Sequence, residues 1–525
     1  MPIFVSCDKL AKVVKSDRMF AVFDVRERGE YNECQIPGTT SLPRSQIEFR
    51  LGQLVPNFAV PIVLYDNAGE RASLAAETLA ELGYRNISIL RGGLAAWRGE
   101  GRPTASGVNV PSKAFGEKVH HDRNVPEISA DELLRMQKEQ KELRILDVRT
   151  PEEYGRFCIP GGINIPGGDL ILWADELKQS SAPVIVNCAG RTRSIVGTAT
   201  LRRLGLTNVR ALKNGTMGWV LSGFELEKNP ARRTPQAPEQ SRVRALSRAV
   251  AIAAEEGITW MSPKEVAAAV ANTNDGVTYV IDVRSEAEYG SGHIAGSINV
   301  PGGQAVQRAD DFIAARNAQV IFISNDSARA VMAAYWYRQM GFPHVFVLQG
   351  GLRAWSESGA KLTTGAEQDE PLGFEAAKRD ATLLQPEQLA RKLQESSTLI
   401  LDVGSSLDFE AAHIPGAKWI SRGWLEIEIP ELFPDRHQTI VVTCTDGVQS
   451  IFAARALQRI GYADVRALSG GIRAWSAAGF SNEAGLGARL VEPKDVVLSP
   501  SIRGSREDMQ RYLDWEVTLS KTSMT

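Results

Sequence analysis

The chain has 525 residues, which allows about three to four domains, each with room for its own core. Its 60 Lys and Arg against 62 Asp and Glu leave a formal charge of −2, so there is no electrostatic reason to expect nucleic acid or an anionic membrane as partner. Five cysteines (Cys7, Cys34, Cys158, Cys188, Cys444) are too few and odd in number for a disulfide framework.

In chain order, residues 1–20 mix Asp8, Lys9, Lys12, Lys15, Asp17 and Arg18 among apolar residues, so the apolar heart of a signal peptide is missing. No apolar stretch is long enough to span a bilayer, and a reducing cytoplasm is the expected location. An apolar run then closes on Asp24-Val25-Arg26, a second runs into Asp66, and the segment ends at Arg91-Gly92-Gly93-Leu94-Ala95-Ala96-Trp97. The same landmarks return at Asp147, Asp282 and Asp402, and at Trp219, Trp355 and Trp475. The tryptophan intervals are 122, 136 and 120 residues (219 − 97, 355 − 219, 475 − 355), far above the roughly 20–50 of a solenoid repeat, so the units are whole domains in tandem. Their expected bounds are 1–105, 125–228, 258–362 and 380–484, with an extension at 485–525 that matches no repeat.

The second repeat carries the element pattern of all four. Ser129 caps a helix start followed by Leu133, Leu134 and Met136; residues 144–148 form a strand emerging at Asp147; Pro151 begins a short helix. Residues 163–165 and 183–187 are strands, 193–204 a helix stopped by Gly205, 209–212 the last strand and 216–221 the last helix. Strands alternating with helices predict an α/β fold, a small parallel sheet flanked by helices, with its chemistry beyond the carboxyl ends of the strands. Stretches 102–126, 229–241 and 363–370 have linker composition, 241–256 is helical, and 509–515 is expected to be a helix with a packing role.

Each repeat has a six-residue loop between a strand and the next helix: Asp66-Asn67-Ala68-Gly69-Glu70-Arg71, Cys188-Ala189-Gly190-Arg191-Thr192-Arg193, Ser324-Asn325-Asp326-Ser327-Ala328-Arg329 and Cys444-Thr445-Asp446-Gly447-Val448-Gln449. Small residues there predict an anion-binding nest reinforced by the following helix amino terminus, a setting that favours thiolate over thiol. Arg191 and Arg193 add fixed charge suited to gripping an oxyanion.

With these motifs the chain resembles a tandem array of four rhodanese domains over about residues 1–485. The family's opening motif is present as Asp282-Val283-Arg284 with Glu288-Tyr289 and His293-Ile294-Ala295-Gly296, and as Asp147-Val148-Arg149 with Glu153-Tyr154 and Cys158-Ile159-Pro160-Gly161. Repeat four keeps His413-Ile414-Pro415-Gly416 but has Gly404 for the arginine. Arg149 and Glu153, one helical turn apart, are expected to pair as a structural feature. The resemblance implies a sulfurtransferase in which the first loop residue is a cysteine that takes sulfane sulfur from a donor such as thiosulfate and passes it to cyanide or a thiol. Only Cys188 and Cys444 match that position, so repeats one and three, with Asp66 and Ser324, are expected to be non-catalytic, and the order reads as a doubled two-domain enzyme.

Cys188 ranks first, with Ala189, Gly190, Arg191, Thr192 and Arg193 as its binding loop. Cys444 ranks second: its loop has no cation, Asp446 opposes thiolate formation, and only Gly447 and Val448 match the loop of mercaptopyruvate sulfurtransferases. Arg422 is expected to supply the missing charge across the cleft, as Arg44 would in repeat one. Expected partners are a small-molecule donor and acceptor, or a protein acceptor in a persulfide relay. No cofactor is expected, and no metal, since the six histidines show no zinc-ligand spacing. A phosphatase of related fold would need five residues between cysteine and arginine where Cys188 and Arg193 enclose four.

Overall fold

The computed structural model describes residues 3–139, 142–272, 276–365, 370–395 and 398–521. The expected linker 363–370 therefore lies in part outside the described residues. Each repeat builds one five-stranded sheet of parallel strands in the same order. In the second repeat the order is Glu127–Ile128, Val209–Leu212, Val184–Asn187, Arg144–Asp147, Ile163–Asn164, with Val184 beside Val209 on one side and Arg144 on the other. The middle strand of such a sheet is covered on both faces, so Val184, Ile185 and Val186 are apolar and buried, and the buried Asn187 ends the strand.

At that end sits Cys188, followed by the helix Thr192–Arg203. The opening aspartates mark the neighbouring strand ends and are buried; Asp24, Asp147 and Asp282 each accept a two-pronged bond from Arg26, Arg149 and Arg284. Arg149 Nη2 also donates to the Phe157 carbonyl at 2.5 Å, which spends the guanidinium on the local turn. The expected Arg149 to Glu153 pair is replaced by this one, and Glu153 bonds elsewhere.

The repeat-ending glycine has a steric cause. Gly215 lies at φ +53°, and a β-carbon there would collide with the carbonyl oxygen of Cys188, which instead accepts from Thr216 N at 2.8 Å. Gly93, Gly351 and Gly471 meet the carbonyls of Asp66, Ser324 and Cys444 in the same way. The tryptophans that follow are core residues: Trp97, Trp219, Trp355 and Trp475 are buried, and each indole donates to a carbonyl six residues on.

The chain forms two compact units. One gathers the first and fourth repeats and the extension through Val497; the other gathers the second and third repeats and the chain from Leu498. Packing thus nests the repeats instead of pairing them in chain order, and the extension divides between the units. In the first unit Arg44 bonds Glu426 while Arg422 bonds Glu48, a reciprocal exchange between equivalent turns. In the second unit the equivalent positions are Gly167 and Gly302, and backbones there approach so closely that a β-carbon on Gly168 would lie 3.1 Å from Gly302 Cα. Beside this contact an open cleft of about 830 Å³ carries Arg193 and Arg329 on its walls.

Two segments outside the repeats are ordered parts of the second unit. The expected linker 102–126 contains the helix Val110–Asp122, whose Ser112 to Glu117 are buried. The C-terminal helix Arg506–Thr518 buries Leu513 and Glu516 and is pinned by Arg506, which donates to the carbonyls of Val220 and Leu221 at 2.7 and 2.5 Å.

Candidate active site

The first loop residue is held alike in all four repeats by the start of the next helix. Asp66 Oδ2 accepts from Ala72 N at 3.1 Å, Ser324 Oγ from Ala330 N at 3.3 Å, and Cys444 Sγ lies 3.8 Å from Ser450 Oγ. Cys188 Sγ donates to Ser194 Oγ at 3.6 Å, and that hydroxyl donates to the Arg191 carbonyl at 2.8 Å. Asp66 therefore places its own carboxylate where a bound anion would be held, with Gly69 N as its other donor.

The loops differ in backbone. Gly69, Ser327 and Gly447 are left-handed at the fourth position, whereas Arg191 has φ −120° and ψ −57°. Among the described residues, 188–193 contain no left-handed position, so the loop around Cys188 lacks the left-handed turn of the other three. What encloses it is supplied from elsewhere in the second unit. The helix Val110–Asp122 lies against the loop: a β-carbon on Gly116 would stand 2.8 Å from Thr192 Cγ2, and Glu117 takes Arg191 in a fork at 2.6 and 3.0 Å. The C-terminal helix closes the other side, where Glu516 accepts from Thr192 Oγ1 at 2.6 Å and a β-carbon on Gly190 would be 3.2 Å from Glu516 Oε2 and 3.6 Å from Tyr512 Cε1.

Two expectations change here. Arg191 is not an open anion grip, because Glu117 holds it and Glu127 lies 3.3 Å away. Arg193, also expected to grip an oxyanion, is buried and forked to Glu153 at 2.5 and 2.8 Å. Burial works to raise the Glu153 carboxyl, and the adjoining guanidinium outweighs it, bringing the group down to about 2. Arg71 with Glu30, and Arg329 with Glu288, repeat this latch in the loops without cysteine, so the pair is part of the scaffold. Ala189 is half-buried and accepts from Met217 N at 3.0 Å, while Gly190 and Thr192 are buried.

Cys188 is 2 % exposed, yet its surroundings are polar. The Lys113 ammonium, the Arg193 guanidinium and the Tyr512 hydroxyl all lie within electrostatic reach of it. Lys113, Glu117, Tyr512 and Glu516 had no signal in the loop motif.

Cys444 sits otherwise. Its thiol is buried and donates towards Asp446 Oδ1 at 3.7 Å; desolvation, opposed by the Ser450 amide and reinforced by the Asp446 charge, pushes it up to about 11. Arg422 does not compensate: it is buried, forked to Glu48, and donates to the carbonyls of Arg44 and Ser45 at 3.2 and 2.8 Å. Gly447 supplies the φ +90° turn. Cys7, Cys34 and Cys158 lie outside the loops, and burial pushes the thiols of Cys7 and Cys158 up. No group of His, Cys, Asp or Glu suited to a metal ion occurs among the described residues, nor is any described helix long and apolar enough to cross a membrane.

The rhodanese-like domain model matches residues 6–100, 129–222, 262–358 and 385–478, each covering four of the five strands of one sheet and its cysteine-position loop. The chain belongs to the rhodanese-like domain family. It is similar to the crystal structure of a thiosulfate sulfurtransferase from Pseudomonas aeruginosa, at 36 % identity and a TM-score of 0.91 over 99 % of this chain and 97 % of that one. A chloroplastic thiosulfate sulfurtransferase of Arabidopsis thaliana is 34 % identical over 92 residues, 15 % of this chain and 77 % of that protein. The Bacillus subtilis protein YrkF is 29 % identical over 96 residues, 18 % of this chain; the match spans about half of that relative, 51 %.

Proposed function

We propose that the protein is a thiosulfate sulfurtransferase in which Cys188 carries the transferred sulfur. The supporting observation is the contrast between the two loop cysteines. Cys188 has the Lys113 ammonium and the Arg193 guanidinium within electrostatic reach, whereas the Cys444 thiol faces Asp446 and is pushed up to about 11.

In the first half-reaction the Cys188 sulfur, as thiolate, attacks the outer sulfur of thiosulfate. The donor S–S bond breaks, sulfite leaves with the electron pair, and a cysteine persulfide anion forms, so the total charge is unchanged. Ser194, which now accepts from the thiol, is placed to turn its hydroxyl from the Arg191 carbonyl towards the sulfur when the proton leaves. In the second half-reaction cyanide or a thiolate attacks the outer persulfide sulfur, carries it away, and restores the thiolate. The positive groups around the loop offset the charge brought by an anionic donor.

The test is thiocyanate formation by single variants. Cys188→Ser is expected to remove nearly all of it and Cys444→Ser little; equal loss, or loss from the second alone, overturns the assignment. A relay to a protein acceptor would show as slow turnover with small donors and a persulfide discharged by one protein, and that acceptor would have to displace the C-terminal helix from the loop.

A further inference from the structure

The cations around Cys188 are not equivalent. Arg191 gives Nε and Nη2 to Glu117 and Nη1 to Glu127, and Arg193 gives Nη1 and Nη2 to Glu153, with its Nε buried without a hydrogen-bond partner. Lys113 is 3 % exposed, and among the described residues its hydrogen-bond partner is the neutral Tyr512 hydroxyl, with the Tyr512 and Trp515 rings 4.5 and 5.4 Å from the ammonium. One turn along the helix from Tyr512, Glu516 is 1 % exposed and spends Oε1 on Thr192, while Oε2 is buried without a hydrogen-bond partner. That free oxygen is the one facing Gly190, the second residue after Cys188.

A buried ammonium without a bonded carboxylate and a buried carboxylate oxygen without a donor, both beside the reactive sulfur, are each unfavourable alone. A small anion that takes the place of the Glu516 carboxylate accepts from Lys113 and releases Glu516 from burial. Burial lowers the Lys113 ammonium from its ordinary value while the Glu516 charge opposes that, so the two already act on one another.

Resting on the assignment of Cys188, we propose that Lys113 is the donor-binding residue of this site, holding the sulfonate end of a small anionic sulfane donor, and that Glu516 competes for the same position. The cation comes from the segment joining the first two repeats and its competitor from the C-terminal helix, so donor selectivity is set by two elements that no repeat contains. During transfer Lys113 remains with the sulfonate group, which leaves as sulfite; no proton or electron passes through the lysine.

The experiment is steady-state kinetics of the full chain with thiosulfate and cyanide. Lys113→Met is expected to raise the thiosulfate KM about tenfold or more with kcat changed less than about threefold, the pattern of lost uniform binding, and Lys113→Arg to recover part of it. Glu516→Gln is expected to lower the KM about threefold, a gain that misfolding cannot imitate. An unchanged KM in folded Lys113→Met, or an unchanged or raised KM in Glu516→Gln, overturns the proposal; if Lys113→Met does not fold, Glu516→Gln decides it. Peptide mapping separates the two readings. Wild-type chain that takes no sulfur on Cys188 defeats the underlying assignment, whereas sulfur on Cys188 with donor KM unmoved by either variant defeats this inference alone.

Discussion

A single replacement in the opening motif shows how much a buried carboxylate depends on its neighbour. Where Asp147 has the Arg149 fork, Asp402 has Gly404, whose amide donates at 2.8 Å, and burial raises the Asp402 carboxyl to about 7. Against an unfolded value near 4, a raised acid favours folding fully below about pH 4, and the benefit is lost as pH rises through about 7. Asp402→Asn should therefore raise the melting temperature at pH 8 and leave it little changed at pH 4; no gain at pH 8 refutes the assignment. Arg193→Ala leaves the partly buried Glu153 without its cation and should destabilise the chain by about 1–3 kcal/mol in denaturant titration, where a solvent-facing arginine would cost almost nothing. The sequence offered the clue to this latch, since Arg71 and Arg329 recur in loops that lack cysteine. It could not say which carboxylate each arginine meets, because charge and spacing leave the partner open.

The strands, loop positions and closing glycines are local consequences of apolar runs and turn residues, and so were readable repeat by repeat. The helix Thr192–Arg203 lies one residue from its expected start, and Trp219, a repeat landmark in the sequence, is buried in the core. The two covering helices were not readable as site elements. Residues 110–122 carry Lys113, Glu117 and two histidines among small residues, which gives linker composition, yet burial on nearly every face makes them a core helix. Lys113 and Tyr512 bond across 399 residues of sequence, a pairing that no local pattern encodes. If the C-terminal helix covers the Cys188 loop, weakening its anchor should uncover the sulfur. Leu513→Ala removes the buried anchor, and alkylation of Cys188 by iodoacetamide should accelerate about tenfold or more relative to wild type, with Cys444 unchanged. Equal rates in both chains would show that the helix does not limit access.

At the scale of the molecule, the fourfold repeat and the α/β class follow from periodicity alone, but the nesting of the first repeat with the fourth does not. That arrangement rests on contacts such as Arg422 with Glu48, two residues that are each 8 % exposed in their side chains. Their burial explains why Arg422 has no reach left for Cys444. Arg422→Ala strands Glu48 and should destabilise the first unit by about 3–5 kcal/mol while leaving sulfur loading of Cys188 intact. One thiol out of five, Cys188, is the proposed carrier of the transferable sulfur. The most direct measurement is mass spectrometry of the full chain after thiosulfate, with peptide mapping of the added mass of about 32 Da. The added sulfur is predicted on the peptide containing Cys188 and on no other cysteine peptide; sulfur on Cys444 in its place, or none on Cys188, contradicts the account.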